Sequence, residues 1–216
     1  IPNPQSPIPN PLFLTLNNNR ILLYYIILNM NSIPYKQIRA KYDNDNIVVY
    51  QAFNENIAKE AISLGKFGPL FLPNRMTWIK PSFLWMMYRS GWGTKHNQEH
   101  ILAIYIKREA FDHLVKSAMP DYESEIYNDD NKKQYSAPNI RIQWDPERYI
   151  NGNPREIRSI QIGIKGPLSD KYKNEWITKI KDITDDVKDL KKRLDNNEDI
   201  SSLLPKEEVY QLIRKK

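Results

Sequence analysis

Short β-type runs alternate with stretches of helical spacing along this chain, and that mixture constrains its fold more than any other feature. Residues 37–42 and 47–52 are β-type runs separated by Asp43-Asn44-Asp45-Asn46, a spacing and turn chemistry that predict a hairpin. Asn54 suits a helix N-cap, Ile57, Ala58, Ala61, Ile62 and Leu64 follow at helical spacing, and Gly65 suits the C-cap. After a loop with Gly68-Pro69 and Pro73, residues 75–79 read as extended. Pro81 stands where a helix can start, 83–88 form its body, and Ser90-Gly91 ends it. Residues 101–106 are a strongly apolar strand and 108–118 a further helix. The acidic, turn-rich residues 120–138 predict a mobile surface excursion. Strands are expected at 140–144 and 158–164, with Pro146 and Pro154 breaking the stretch between, and again at 176–183. Val187, Leu190 and Leu194 mark a charged surface helix from Asp185. Leu203-Leu204-Pro205 leads into an expected terminal helix over 207–213. The fold expected is α+β: a single compact domain with a mixed or antiparallel sheet and flanking helices.

Residues 1–29 look different. Pro2, Pro4, Pro7, Pro9 and Pro11 alternate with polar residues and Ile, which favours an extended or disordered segment. The apolar run 21–28 is too short to span a bilayer, which takes about 20 residues. A lone Arg20 and the lack of a small-residue cleavage site do not fit a cleaved signal peptide. Met30 would serve as an initiator, so residues 1–29 are expected to be an N-terminal extension and 30–216 the α+β domain. The rival reading of 1–29 is a short membrane-associating or targeting segment. An intracellular setting, cytoplasmic or nuclear, with no membrane partner, is the expectation; the oligomeric state is left open.

Composition narrows the chemistry. The absence of cysteine removes disulfides, thiolate zinc sites, iron–sulfur clusters and cysteine nucleophiles. A mean hydropathy of −0.66 speaks against a polytopic membrane protein. The net charge of +6 suggests nucleic acid until it is divided along the chain. Residues 1–75 carry +3, 76–119 carry +3, 120–165 carry −1 and 166–216 carry +1. In the last segment Lys181, Lys188, Lys191, Lys192 and Arg193 are interleaved with Asp182, Asp185, Asp186 and Asp189, as on a solvated helix face. The excess is dispersed over the N-terminal part, which suits a small phosphate-bearing ligand or RNA end better than a long duplex DNA track.

The most unusual stretch runs from Arg75 to Trp92, RMTWIKPSFLWMMYRSGW, with three of the five tryptophans among two arginines and a lysine. On a helix, Trp85 and Arg89 share a face at i,i+4 and Ser82 lies one turn before Trp85, so aromatic and guanidinium groups could hold a base or nicotinamide ring and its phosphate. The plainer reading is a core helix with Phe83, Leu84, Met86 and Met87 packed inward.

This stretch resembles the signature of domain-of-unknown-function family 4291. So do Ile38-Arg39-Ala40-Lys41-Tyr42-Asp43, Val49-Tyr50-Gln51-Ala52, Gln98-Glu99, Gln143-Trp144-Asp145-Pro146-Glu147-Arg148 and Arg158-Ser159-Ile160-Gln161-Ile162-Gly163. The resemblance covers roughly residues 36–210 and implies no activity, since the family's name assigns none. It supports a domain that begins near Met30.

The signature segments place Arg39, Arg75, Lys80, Arg89, Arg148 and Arg158 beside Tyr50, Gln51, Thr77, Trp78, Ser82, Trp85, Gln98 and Gln161, with Glu99 and Asp145 as acids. Cations with two carboxylates fit a site that grips phosphate oxygens and offers an acid or base. Ordinary ion pairs, Arg148 with Asp145 or Glu147 and Glu99 with Lys95, are the competing account. Glu99, just before the apolar strand and after Gly91-Trp92-Gly93, has the best single claim to catalysis. An early Arg39 with a later Gln98-Glu99 is loosely similar to the mono-ADP-ribosyltransferase arrangement, although that superfamily's serine-bearing strand motif is missing. No Walker loop, Gly-x-Gly-x-x-Gly or Gly-x-Ser-x-Gly occurs, and the i,i+4 pair His96 and His100 has no third metal ligand at a telling distance. The expected function is an enzyme acting on a nucleotide or phosphorylated RNA end, with NAD or ATP as candidate cofactors and no metal. The alternative is a non-catalytic module that recognises RNA or a peptide through residues 75–92.

Overall fold

The computed structural model describes residues 34–72, 74–127 and 133–213, so the expectations for residues 1–29 lie outside the described residues. In chain order the strands are β1 (Lys36–Gln37), β2 (Arg39–Ala40), β3 (Asn46–Phe53), β4 (Thr77–Ile79), β5 (His100–Lys107), β6 (Tyr135–Ala137), β7 (Ile140–Arg148), β8 (Pro154–Ile164), β9 (Ile177–Asp182) and β10 (Glu208–Val209). The helices are α1 (Glu55–Leu64), α2 (Phe83–Ser90), α3 (Arg108–Ala118), α4 (Tyr122–Glu125), α5 (Pro167–Lys171) and α6 (Thr184–Asp195). A π-helical turn over Tyr172–Trp176 leads from α5 into β9.

Strand β8 is the hub of the larger sheet. Antiparallel β7 pairs along one edge and β6 extends beyond it; the other edge takes β1 in parallel and β4 antiparallel. A second sheet, all antiparallel, has the order β3-β5-β9, and β10 pairs with β2. The two-residue period of β3 and β5 separates their faces. Ile47, Val49, Leu102 and Ile104 join Ile142, Ile160 and Ile162 of the larger sheet and Phe111 and Leu114 of α3 in one core. Val48, Tyr50, Ile101 and Ala103 turn the other way, where Phe83, Trp85 and Met87 of α2 and Val187 and Leu190 of α6 cover them. The result is a single compact α+β domain with mixed and antiparallel sheets and flanking helices.

Local signals hold where capping decides. The Asn54 side chain accepts from the Ile57 N–H, and Gly65 ends α1 at φ 66°, a left-handed conformation that glycine adopts without strain. Ser82 and Gly91 do the same for α2.

Non-local partners overturn several expectations. The hairpin over 37–52 is reduced to its turn and one bridge, Tyr42 to Ile47, because β1 and β2 pair with β8 and β10 instead. The Asp43 carboxylate still accepts from the Asp45 and Asn46 N–H groups, so the turn forms while its strands part. Pro146 does not break β7; the strand runs on to Arg148 with a register shift at that point, and Pro154 opens β8, where a missing N–H costs little. Within 120–138, α4 and β6 are ordered elements and the Lys36 N–H donates to the Ile126 carbonyl, so the excursion is in part built into the domain; residues 128–132 lie outside the described residues. The terminal helix over 207–213 is instead an extended strap. The Tyr210 side chain is buried and its hydroxyl donates to Asp112 Oδ1 at 2.6 Å, while the Ile213 N–H donates to Asp112 Oδ2 at 2.6 Å. With its backbone and ring satisfied by α3 and β2, this segment has no need of helical hydrogen bonds. Among the described residues no helix is long and apolar enough to cross a membrane.

Candidate functional site

Strand β4 ends at Ile79, a core residue, and alternation turns the next side chain to the opposite side, beneath α2. That side chain is Lys80. Its backbone carbonyl accepts from the Tyr50 N–H at 2.7 Å, locking it to β3. The ammonium donates to Asp145 Oδ2 at 3.3 Å and to the Ser159 carbonyl at 3.2 Å, and lies 4.1 Å from the centroid of the Trp85 ring. Its three hydrogens thus have two oxygens and an aromatic face to meet. Lys80 is 0% exposed, and burial pulls its pKa from 10.5 to about 8, although Asp145 and Glu147 pull it back up. Asp145, by contrast, keeps 29% of its side chain exposed, so it reaches solvent where Lys80 does not.

The N-terminus of α2 sits beside this pair. Ser82 Oγ accepts from the Trp85 N–H and donates to Glu147 Oε1 at 2.7 Å; the Arg148 N–H donates to the same oxygen at 2.8 Å. Glu147 is only 4% exposed, and its Oε2 has no hydrogen-bond partner. The Arg148 guanidinium stacks 3.7 Å from the Tyr88 ring centroid and donates through Nη1 to the Gly152 carbonyl, while its buried Nε has no acceptor. Ser159 Oγ is buried and unpaired as well. Buried polar atoms without partners are rare, and four of them, with Trp144 Nε1 as the fourth, fall on β7 and β8.

A second carboxyl reaches α2 from the C-terminal strap. Glu207 Oε1 accepts from the Phe83 N–H at 2.7 Å, where the helix dipole favours negative charge. Burial nevertheless drives the Glu207 pKa from 4.5 to about 8; the Phe83 hydrogen bond opposes the rise, Glu147 adds to it, and Arg39 and Lys80 oppose it. Arg39 donates through Nη2 to the Glu207 carbonyl at 3.1 Å and through Nη1 to Gln37 Oε1 at 3.5 Å. The arrangement offers a partly exposed carboxylate held by a buried ammonium, a carboxyl that retains its proton near neutrality, and two guanidinium groups close by. Those are the parts of a site that binds an anion and moves a proton.

Six residues expected from the sequence come together here: Arg39, Lys80, Ser82, Trp85, Asp145 and Arg148, with Tyr50 adjoining through its backbone. Burial raises the Tyr50 pKa well above 10, with Glu207 and Tyr105 adding to it. Gln51 and Thr77 clamp the opposite side of β3: Gln51 Nε2 donates to Thr77 Oγ1 and the Trp78 carbonyl, and its Oε1 accepts from the Tyr172 hydroxyl. Trp78 packs on Gly163, where a Cβ would lie 3.0 Å from the ring. Arg158 donates to the Tyr35 hydroxyl and the Trp144 carbonyl, and Gln161 pairs with Gln143 across the strands. Arg75 and Arg89 are exposed, and Gln98 is half-buried; none of the three makes a side-chain hydrogen bond or ion pair among the described residues.

Glu99 is not joined to this cluster. Its side chain is 43% exposed, and Oε1 accepts from the Asn97 N–H at 2.9 Å and lies 3.8 Å from His96 Nδ1. Its own backbone N–H is the chief cause of a pKa below 4.5, and its charged neighbours are His96 and His100. Glu147, Ser159 and Glu207 were not singled out for the site by the residue pattern. Glu147 and Ser159 do lie inside the signature segments, but nothing local marks Glu207. Among the described residues no group of three or more His, Asp or Glu is placed to hold a metal ion.

A family model described as "Domain of unknown function (DUF4291)" matches residues 37–210, and no curated protein matches the chain. The match covers more than half of the sequence, so the chain belongs to that family, and all the residues of the cluster lie within it.

Proposed function

We propose that this member of the family is an enzyme acting on a nucleotide or on the phosphorylated end of an RNA, with NAD or ATP as candidate co-substrates. The observation that carries the reading is the Lys80–Asp145 pair. A fully buried ammonium holds a partly exposed carboxylate, beside buried polar atoms that lack partners. Asp145 takes the proton of the attacking hydroxyl or water, and Glu207, replacing the expected Glu99, returns one to the leaving oxygen. Arg39 and Arg148 hold phosphate oxygens. Transfer of ADP-ribose from NAD is the narrower version. It draws on Arg39 alone, because Glu99 shares no hydrogen bond or ion pair with the cluster among the described residues.

The exposed Arg75 and Arg89 favour the second reading, a non-catalytic module for RNA or a peptide. The tryptophans weigh against it, since Trp85 is committed to Lys80 and Trp78 to Gly163. Thermal-shift titration with NAD, ATP, ADP-ribose and short RNAs bearing a 5′- or 3′-phosphate tests the choice. Stabilisation by at least one of them, lost in Arg148→Gln, is the expected result, with Asp145→Asn retaining the ligand but losing its conversion. No shift with any of the four would sink the nucleotide reading.

A further inference from the structure

A cavity of about 750 Å³ lies on the face of the β3-β5-β9 sheet that α2 and α6 cover. Its floor is two cross-strand pairs, Val48 with Tyr105 and Tyr50 with Ala103, and Phe83 and Leu204 close its sides. The size suits a nucleoside, because small-molecule sites occupy roughly 300–1,000 Å³ and are walled by apolar and aromatic side chains with a few polar groups.

Two observations point to a ligand. Tyr50 lines the cavity and is 2% exposed, yet its hydroxyl makes no hydrogen bond among the described residues. The hydroxyl is not among the fully enclosed unpartnered atoms, so it opens into the cavity and offers its hydrogen bond there. The ring itself is held rigidly by an edge-to-face contact with Phe83, centroids 5.4 Å apart. The second observation is the charge at the rim. Lys181 is paired with Asp186, Arg193 with Asp189 and Lys206 with Glu208, whereas Lys41 at one end and Asp185 on α6 have no ion pair among the described residues, which leaves Lys41 as the cation free to meet an anion. Arg39 stands two residues before Lys41 on the same side of the extended chain and bonds to the Glu207 carbonyl, next to Lys206 of the cavity wall. Cavity and catalytic cluster therefore share the 205–207 segment.

We propose that this cavity seats the base and ribose of the nucleotide, with the Tyr50 hydroxyl hydrogen-bonded to the base and the Tyr105 and Phe83 rings packed against it. Lys41 marks the end toward the phosphates. The proposal rests on the nucleotide reading for its substrate class, but not on the proton transfer assigned to Asp145.

The test uses the full chain and ligands that separate the two parts. Adenosine, guanosine, cytidine and uridine are titrated calorimetrically, with ribose 5-phosphate as the probe for the phosphate end. At least one nucleoside is expected to bind saturably, and Tyr50→Phe, which keeps the ring, weakens it about tenfold, the loss of one hydrogen bond. Tyr105→Leu, which keeps the floor apolar, weakens the same nucleoside by a similar factor, while ribose 5-phosphate binds both variants as it binds the parent. Absence of nucleoside binding, or nucleoside affinity unchanged in both variants, overturns the cavity assignment and leaves the phosphate site standing. Absence of ribose 5-phosphate binding with the nucleosides still held overturns the phosphate site instead.

Discussion

Helices α2 and α6 pack on the same face of the same sheet, yet their charged neighbours are disposed in opposite ways. Around α2 the charges are drawn inward: Lys80 and Glu147 are buried, and Ser82, Phe83 and Arg148 spend their donors on carboxylates. Around α6 they face water. Only Thr184, Val187 and Leu190 of α6 are buried, and its ion pairs, Lys181 with Asp186, Lys191 with Asp195 and Arg193 with Asp189, are solvent-exposed. Exposed pairs of this kind are worth a few tenths of a kcal/mol, whereas a buried charge that loses its partner costs several. Charged residues thus make a replaceable surface on one helix and a mutually dependent cluster beside the other.

The largest break in this comparison is expected from Lys80→Ala. It opens a cavity beneath Trp85 and leaves the Ser159 carbonyl and Asp145 without their donor, for a loss of about 3 kcal/mol measured by urea unfolding. Next comes pH. Between 4.5 and about 8 only the folded chain keeps the proton on Glu207, so stability falls as pH rises through that window. Between about 8 and 10.5 only the unfolded chain keeps the proton on Lys80, so stability climbs again. The cluster therefore contributes a minimum near pH 8. The acid limb is on the order of 2 kcal/mol because the half-buried carboxyl is partly screened, and Glu207→Gln should flatten that limb while leaving the alkaline one. An unaltered profile in that variant would count against Glu207 as its source.

Ser82→Ala removes both the cap of α2 and the donor to Glu147, and about 1.5 kcal/mol of stability is expected to go with them. The smallest effect belongs to α6: Asp189→Ala, which frees Arg193 from one of its two carboxylates, should barely move the urea midpoint, and what change there is should vanish in 1 M salt. A loss there as large as that of Ser82→Ala would erase the distinction between the helices.

What could be read from residues alone follows the same line between local and distant partners. The caps Asn54, Gly65, Ser82 and Gly91 act within one turn of their helices, so α1 and α2 were visible in advance. The strand order was not. Gln37 and Ala40 look like one arm of a hairpin, yet their backbone neighbours lie in β8 and β10, more than a hundred residues away. The strap over 207–213 has a helix-like sequence, and only the carboxylate of Asp112 on α3, which takes both Tyr210 and the Ile213 N–H, shows why it stays extended. In the site, Lys80, Asp145 and Arg148 were legible as unusual charges among apolar and aromatic residues. Glu147 read as a surface partner for Arg148; its real partner is a helix cap sixty-five positions away. Glu207 was hidden because what makes it special is burial against Phe83, which no neighbour in the sequence encodes.

The span of that last contact sets an order of events. Glu207 meets the Phe83 N–H across 124 positions, and its carbonyl meets Arg39 across 168. Synthesis proceeds from the N-terminal end, so every strand of the larger sheet leaves the ribosome before this carboxyl does. Until residue 207 has been made, the first turn of α2 lacks the carboxyl that accepts from the Phe83 N–H. The cluster at the tip of α2 is therefore complete only once the strap is laid over it.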